Sequence, residues 1–206
     1  VKRSVALQIW LLSLLACAAA VLFSFAYLDV PIALYFWRVG RVLRPLDKTF
    51  GTAVILSAES LVVLALFVAR LVRGHLSPFG EVLAIACLTS ICAYAINSDV
   101  LKVVFGVPKP DEVMDGVTHT FYFLTGSGDE SFPSGHMVLA GAFAGVLMRF
   151  YRASIWPLSA LLVLAAGLLV VGDWHFLSDV IAGTFLGVSA GILAGEGWAV
   201  HKQLLQ

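Results

Sequence analysis

The sequence predicts an all-α polytopic membrane protein, a six-transmembrane helix bundle with an interfacial helix between the first and second spans. Three observations carry this. Hydrophobic residues fill 60% of the 206 positions, with a mean hydropathy of +0.96. Charged residues make up 13%, against about 25% in a soluble domain. Six apolar runs approach the roughly 20 residues needed to cross a bilayer.

The first run is Leu7 to Leu28. It is long for a signal-peptide core and lacks a clean small-residue cleavage site, so it is expected to be retained. The stretch DVPIALYFWRVGRVLRPLDK that follows is too short and too basic to cross, and reads as an amphipathic helix lying at the interface. The second run spans about Thr52 to Val72, the third Phe79 to Phe105 and the fourth Pro133 to Phe150. The fifth spans about Ile155 to Val171 and the sixth Asp179 to Val200. The longest interruption, Gly106 to Phe132, is polar, acidic and aromatic by turns; a loop of that length is usually functional or mobile. With no internal repeat or low-complexity tract, residues 1–206 read as a single domain.

Six spans put both termini on one side, with Lys2, Arg3, Arg70, Arg73, Arg149, Arg152 and Lys202. The other side carries Arg38, Arg41, Arg44, Lys48, Lys102 and Lys109. The bias is slight, and it grows if Lys102 and Lys109 serve chemistry rather than topology; the expectation is cytoplasmic termini. The net charge of zero leaves no global field to attract nucleic acid. Cys17, Cys87 and Cys92 are odd in number and lie in apolar runs, so they imply packing rather than a disulfide framework.

Alternating spans bring three junctions to the non-cytoplasmic side: KVVFGVPKP (102–110), SFPSGH (131–136) and GDWHFLSD (172–179). In SFPSGH, Pro133 suits the first turn of a helix. Gly135 lets a ligand approach the backbone, and the free first-turn amides with the helix dipole form an anion site. Ser134 adds a hydroxyl donor. A plain N-cap at a membrane boundary explains Ser131 and Pro133 equally well, but not His136. His175 and Asp179 lie four apart, so a carboxylate on the same helical face holds the imidazole in one tautomer and leaves the other nitrogen as a nucleophile. Lys102 and Lys109 add positive charge. Together these residues describe a phosphate pocket with a nucleophile and an acid. A zinc site on His136, His175 and Asp179, with His119 in the loop, is the competing reading, opposed by two nearby lysines. Glu59, an acid inside the second span beside Ser57 and Ser60, is a candidate accessory residue. Asn97 and Asp99 precede Lys102 and are placed to orient it.

These blocks resemble the type 2 phosphatidic acid phosphatase family, the metal-independent lipid phosphate phosphatases. The family pattern is Lys, six residues, Arg-Pro; then Pro-Ser-Gly-His; then Ser-Arg, five residues, His, three residues, Asp. Here the first block reads Lys102 to Lys109-Pro110, the second is intact at Pro133-Ser134-Gly135-His136, and the third keeps His175 and Asp179. The resemblance covers about residues 45–195. It implies that His175 attacks phosphorus and forms a phosphohistidine, that Asp179 orients it, and that His136 protonates the leaving alkoxide. It implies too that Lys102, Lys109, Ser134 and the Gly135 amide hold the phosphate oxygens, with no metal or other cofactor. Two departures stand out. Lysine at 109 replaces a bidentate guanidinium with a point charge. Leucines at 168 and 169 replace Ser-Arg, with Asp173 one turn further on as a second candidate accessory residue.

The resemblance therefore implies a membrane phosphatase acting on a lipid-linked phosphate monoester or pyrophosphate. The site is expected at the periplasmic face of a bacterial inner membrane, with lipid and bilayer as its partners. A lipid-to-lipid phosphotransferase and a catalytically weakened lipid-phosphate-binding relative are the alternatives.

Overall fold

The computed structural model describes residues 2–43 and 51–204. Arg44 and Lys48, part of the expected interfacial stretch, lie outside the described residues. Nine α-helices and no strand occur among the described residues. In chain order they are α1 (Lys2–Phe23), α2 (Asp29–Leu43), α3 (Thr52–Arg73), α4 (Pro78–Ile96) and α5 (Lys102–Phe105). They continue with α6 (Pro110–Met114), α7 (Gly135–Phe150), α8 (Ile155–Val171) and α9 (Leu177–Leu204).

Five helical stretches are long and apolar enough to cross a membrane: Val5–Gly40, Thr52–Arg73, Pro78–Met114, Arg152–Val171 and Leu177–Leu204. The chain is a polytopic integral membrane protein. The expected fourth span differs. Its helix, α7, starts at Gly135 rather than Pro133 and has 16 residues, about 24 Å of helix at about 1.5 Å per residue. Pro133 precedes the N-cap residue Ser134 and so sits outside the first turn.

The stretch read as a separate interfacial helix begins without a break from α1. The two join through a π-turn, Ser24–Leu28, in which the Asp29 amide donates to the Ser24 carbonyl. Pro31 supplies the reason: it has no N–H to give the carbonyl four residues back, and a widened turn absorbs the mismatch. A second π-turn, Asn97–Leu101, separates α4 from α5. It directly precedes Lys102.

The centre of the bundle is the α7–α9 pair, which packs backbone against backbone. The α9 sequence places Gly183, Gly187, Gly191 and Gly195 four apart on one face. A Cβ at Gly187 would lie 2.5 Å from the Val138 carbonyl oxygen, and one at Gly191 2.2 Å from that of Ala142. Small residues at this spacing let membrane helices approach closely. Met137, Leu139 and Val146 of α7 are fully buried. By contrast, α3 sits at the periphery, where Leu71 and Val72 are exposed. Glu59 is the buried residue of α3.

Candidate active site

The residues 102–110, 131–136 and 172–179 converge on one cavity of about 460 Å³. Lys102, Lys109, Gly135, His136, Asp173 and His175 all line it. The expectation that three distant blocks share one face therefore corresponds to a single concave site.

His175 lies in the turn between α8 and α9, just outside the helix, yet it still meets Asp179. Its Nδ1 is 3.4 Å from Asp179 Oδ2 and 3.4 Å from Ser131 Oγ. Its Nε2 faces His136 Nδ1 at 3.4 Å. The turn is built by the Leu169 carbonyl, which accepts from the amides of Trp174 (3.1 Å) and His175 (3.4 Å). Asp173 in this turn has φ +57. A Cβ on Gly40 of α2 would come 2.3 Å from Asp173 Cβ, so only glycine fits there.

Asp179 is fully buried in the first turn of α9. Its Oδ2 accepts from the Phe176 amide at 2.7 Å and from the Ser131 hydroxyl. Its own carbonyl accepts from the Ser134 amide at 3.1 Å, which ties the start of α7 to the start of α9. The carboxylate is thus locked before it reaches the imidazole.

Ser134 is fully buried. Its Oγ accepts from the Met137 amide at 3.4 Å, and it is not among the residues lining the cavity. Ser134 serves as the N-cap of α7, and its hydroxyl still has a proton to donate. Gly135 does line the cavity, and the Tyr94 ring packs where its side chain would go, with Cε2 2.8 Å from a built Cβ.

Lys102 is 8% exposed, and its ammonium donates to the Glu130 carbonyl. Lys109 pairs with Asp129 at 2.7 Å. Glu130 in turn organises the loop beneath Lys102. Its carboxylate accepts from the Gly128 amide at 2.8 Å and the Ser127 hydroxyl at 3.0 Å. Burial pushes the Glu130 carboxyl up, but the amides of Ser127 and Gly128 outweigh it and hold the group below its usual range. Asn97 does not orient Lys102, as the sequence suggested; its amide donates to the Pro133 carbonyl at 3.1 Å and braces the turn that leads into α7.

Leu169 is buried in the core beside Leu162 and Val170 and does not line the cavity. Asp173 does line it, so the expected sharing of one face by 169 and 173 fails. The reason is that α8 ends at Val171 and the chain turns before Asp173. Glu59 lies away from this cavity, in α3. Among the described residues, no three His, Cys, Asp or Glu side chains group as metal ligands, which leaves the zinc reading without a ligand set there.

Sequence reasoning missed Asp29, Ser178 and the part played by Ser131. Asp29 is 1% exposed. It accepts from the Ser178 amide at 3.0 Å and from the Ser178 hydroxyl, and it stands 3.6 Å from His119 Nε2. His119 stacks on Phe25 with ring centroids 4.2 Å apart. Burial pushes the His119 imidazole down, against the opposing pull of the Asp179 charge. An acid directly after the first apolar run was the available signal.

A family model described as the PAP2 superfamily matches residues 82–198, more than half of the chain. The chain belongs to the PAP2 superfamily. The match encloses every cavity-lining residue from Lys102 to His175, together with Asp179, while Asp29 and Glu59 lie before it. Two curated relatives are named lipid A 1-phosphatase. The protein from Rhizobium johnstonii is 31% identical over 125 residues, covering 53% of this chain and 51% of its own length. That from Rhizobium etli is 30% identical over 132 residues, covering 56% of each chain. The chain therefore spans about half the length of the curated relatives it matches. Among solved structures, a PAP2-type phosphatidylglycerolphosphate phosphatase from Bacillus subtilis aligns with TM-score 0.49 and 17% identity, over 95% of this chain and 96% of its own.

Proposed function

We propose that this PAP2 protein is a membrane phosphatase that hydrolyses a lipid-linked phosphate through a phosphohistidine on His175. The observation that carries the reading is the contact of His136 Nδ1 with His175 Nε2 at 3.4 Å, inside a cavity lined by Lys102 and Lys109. Asp179 and Ser131 face Nδ1 of His175 and keep its proton there, so the Nε2 lone pair points into the cavity. The phosphate displaces the contact between the two histidines. Nε2 attacks phosphorus, the P–O bond to the lipid breaks, and His136 gives its proton to the leaving alkoxide. Water then attacks the phosphohistidine, giving up a proton to His136, and inorganic phosphate leaves. Lys102, Lys109 and the Gly135 amide hold the phosphate oxygens where charge builds in the transition state. No metal or other cofactor takes part.

In the same reading residues 1–206 fold as one domain. α7 completes a set of six spans within the bundle, both termini are cytoplasmic, and the stretch from Asp29 meets the interface. The cavity opens at the periplasmic face of a bacterial inner membrane. The test is rapid quenching with a radiolabelled lipid phosphate in EDTA. Acid-labile phosphohistidine is expected in the wild type and none in His175→Ala. Loss of turnover in EDTA overturns the metal-free mechanism. Release of inorganic phosphate without an added acceptor separates hydrolysis from transfer to another lipid.

A further inference from the structure

A second, apolar groove of about 680 Å³ runs between α3 and α8, floored by α4 and α7. It continues the phosphate cavity. Val54 of α3 lines both. On α7, His136 lines the cavity and Ala140 and Ala144 line the groove; positions spaced by four share one helical face. On α3, Thr52 lines the cavity and Ile55, Ala58 and Val62 line the groove. Two helices therefore each carry one stripe that is polar at the phosphate end and apolar below.

One residue breaks the apolar lining. Glu59 is 9% exposed, and the Oε2 of its carboxyl has no hydrogen-bond partner among the described residues. Ser90 stands beside it, but the Ser90 hydroxyl donates to the Leu139 carbonyl at 3.0 Å. No salt bridge to Glu59 is present among the described residues. A polar atom left unsatisfied in an apolar setting costs free energy, about 1–3 kcal/mol. A ligand that donates to it recovers that cost. Glu59 lies seven positions after Thr52, about 10 Å along a helix.

We propose that this groove receives the acyl chain of the phosphorylated lipid, and that Glu59 selects chains carrying a hydroxyl or amide N–H about 10 Å from the phosphate. The inference rests on the phosphatase reading for the position of the phosphate. Its occupant follows from the continuity of the groove with the phosphate cavity. A site built to accept a hydrogen bond discriminates against an analogue that lacks the donor.

Two measurements decide it. The first uses a non-hydrolysable lipid phosphonate with a diazirine in its chain, reconstituted with the full chain in vesicles. Crosslinks are expected at Ala58, Val62 and Leu162, and excess inorganic phosphate should suppress them. Crosslinks spread evenly over the exposed helices, or unaffected by phosphate, overturn the proposal. The second compares kcat/KM for two lipid phosphates that differ only in a chain hydroxyl. The hydroxylated lipid is expected to be preferred by about tenfold. Glu59→Leu should bring the ratio close to one, while Glu59→Gln, which keeps an acceptor, should retain it. An equal ratio in the wild type, or one unchanged in Glu59→Leu, overturns the selectivity. Absence of phosphate release from every ester, a short water-soluble one included, overturns the phosphatase reading instead, and the crosslinks then decide the groove by themselves.

Discussion

At His175 the two ring nitrogens have different neighbours, and that asymmetry sets the expected chemistry. Nδ1 faces Asp179 and Ser131; Nε2 faces His136 and the cavity. Asp179→Asn removes the negative charge that holds the proton on Nδ1 and sets an amide N–H beside the ring in its place. An orienting carboxylate of this kind is worth about 10⁴ in kcat in the serine-protease case. A loss of about 10³–10⁴ is therefore expected here, with little change in thermal stability; a loss under tenfold would deny Asp179 that role. Ser131→Ala removes one hydrogen bond to the same carboxylate and is expected to lower kcat about tenfold. Steady-state phosphate release measures both. Lys109→Arg restores a bidentate fork for phosphate. We expect it to lower KM for a lipid phosphate, and an unchanged KM would place the Lys109 side chain with Asp129 alone.

At the scale of elements, the site depends on how closely α7 and α9 approach. His136 rides on α7, and Asp179 on α9. Gly191 has the Ala142 carbonyl oxygen 2.2 Å from where its Cβ would stand. Gly191→Val forces the two helices apart, an overpacking that costs about 1–3 kcal/mol, and it should abolish turnover. Gly167, on α8, has nothing within 4 Å of a built Cβ, so Gly167→Ala should leave both melting temperature and turnover unchanged. The loop joining α6 to α7 makes its own contribution through His119. Its folded pKa lies below the ordinary value of 6.5, so the unfolded chain binds more protons as the pH falls. Stability from this group is fully present above about pH 6.5 and is lost as the pH falls below it. Melting temperature in detergent should drop from about pH 7.5 to about pH 5.5, and His119→Phe should flatten that slope. An identical slope in the variant would show that other groups carry the acid sensitivity.

For the whole molecule, the loop from 106 to 132 and the turn from 172 to 179 flank one cavity, so they share a membrane face. The proposed face is periplasmic. Val117 is 43% exposed in that loop. A cysteine placed there, in a background with Cys17, Cys87 and Cys92 replaced by alanine, should react with an impermeant thiol reagent in intact spheroplasts. Labelling only after lysis would reverse the orientation. Asp29 adds a constraint of the same scale: it links the start of α2 to Ser178, 149 residues away, and thereby anchors the α9 start that carries Asp179.

The sequence by itself determined the membrane class, because apolar runs near 20 residues have no other stable setting. It also determined the family, because three short polar blocks keep their order and spacing. It brought Lys102, Lys109, Gly135, His136 and His175 to one membrane face, and they line one cavity there, since alternating spans leave the three junctions little choice. The tertiary structure decided what spacing does not encode. Ser134 gained a role as helix cap because its Oγ accepts from the Met137 amide. Asn97 turned from Lys102 to Pro133 because a π-turn rotates the residues that follow it. Ser131 joined His175 and Asp179, and Asp29 braced the start of α9, from segments whose local sequence shows only a hydroxyl and an acid. Their partners lie 48 and 149 residues away, and contacts at that separation depend on how α2, α7 and α9 pack.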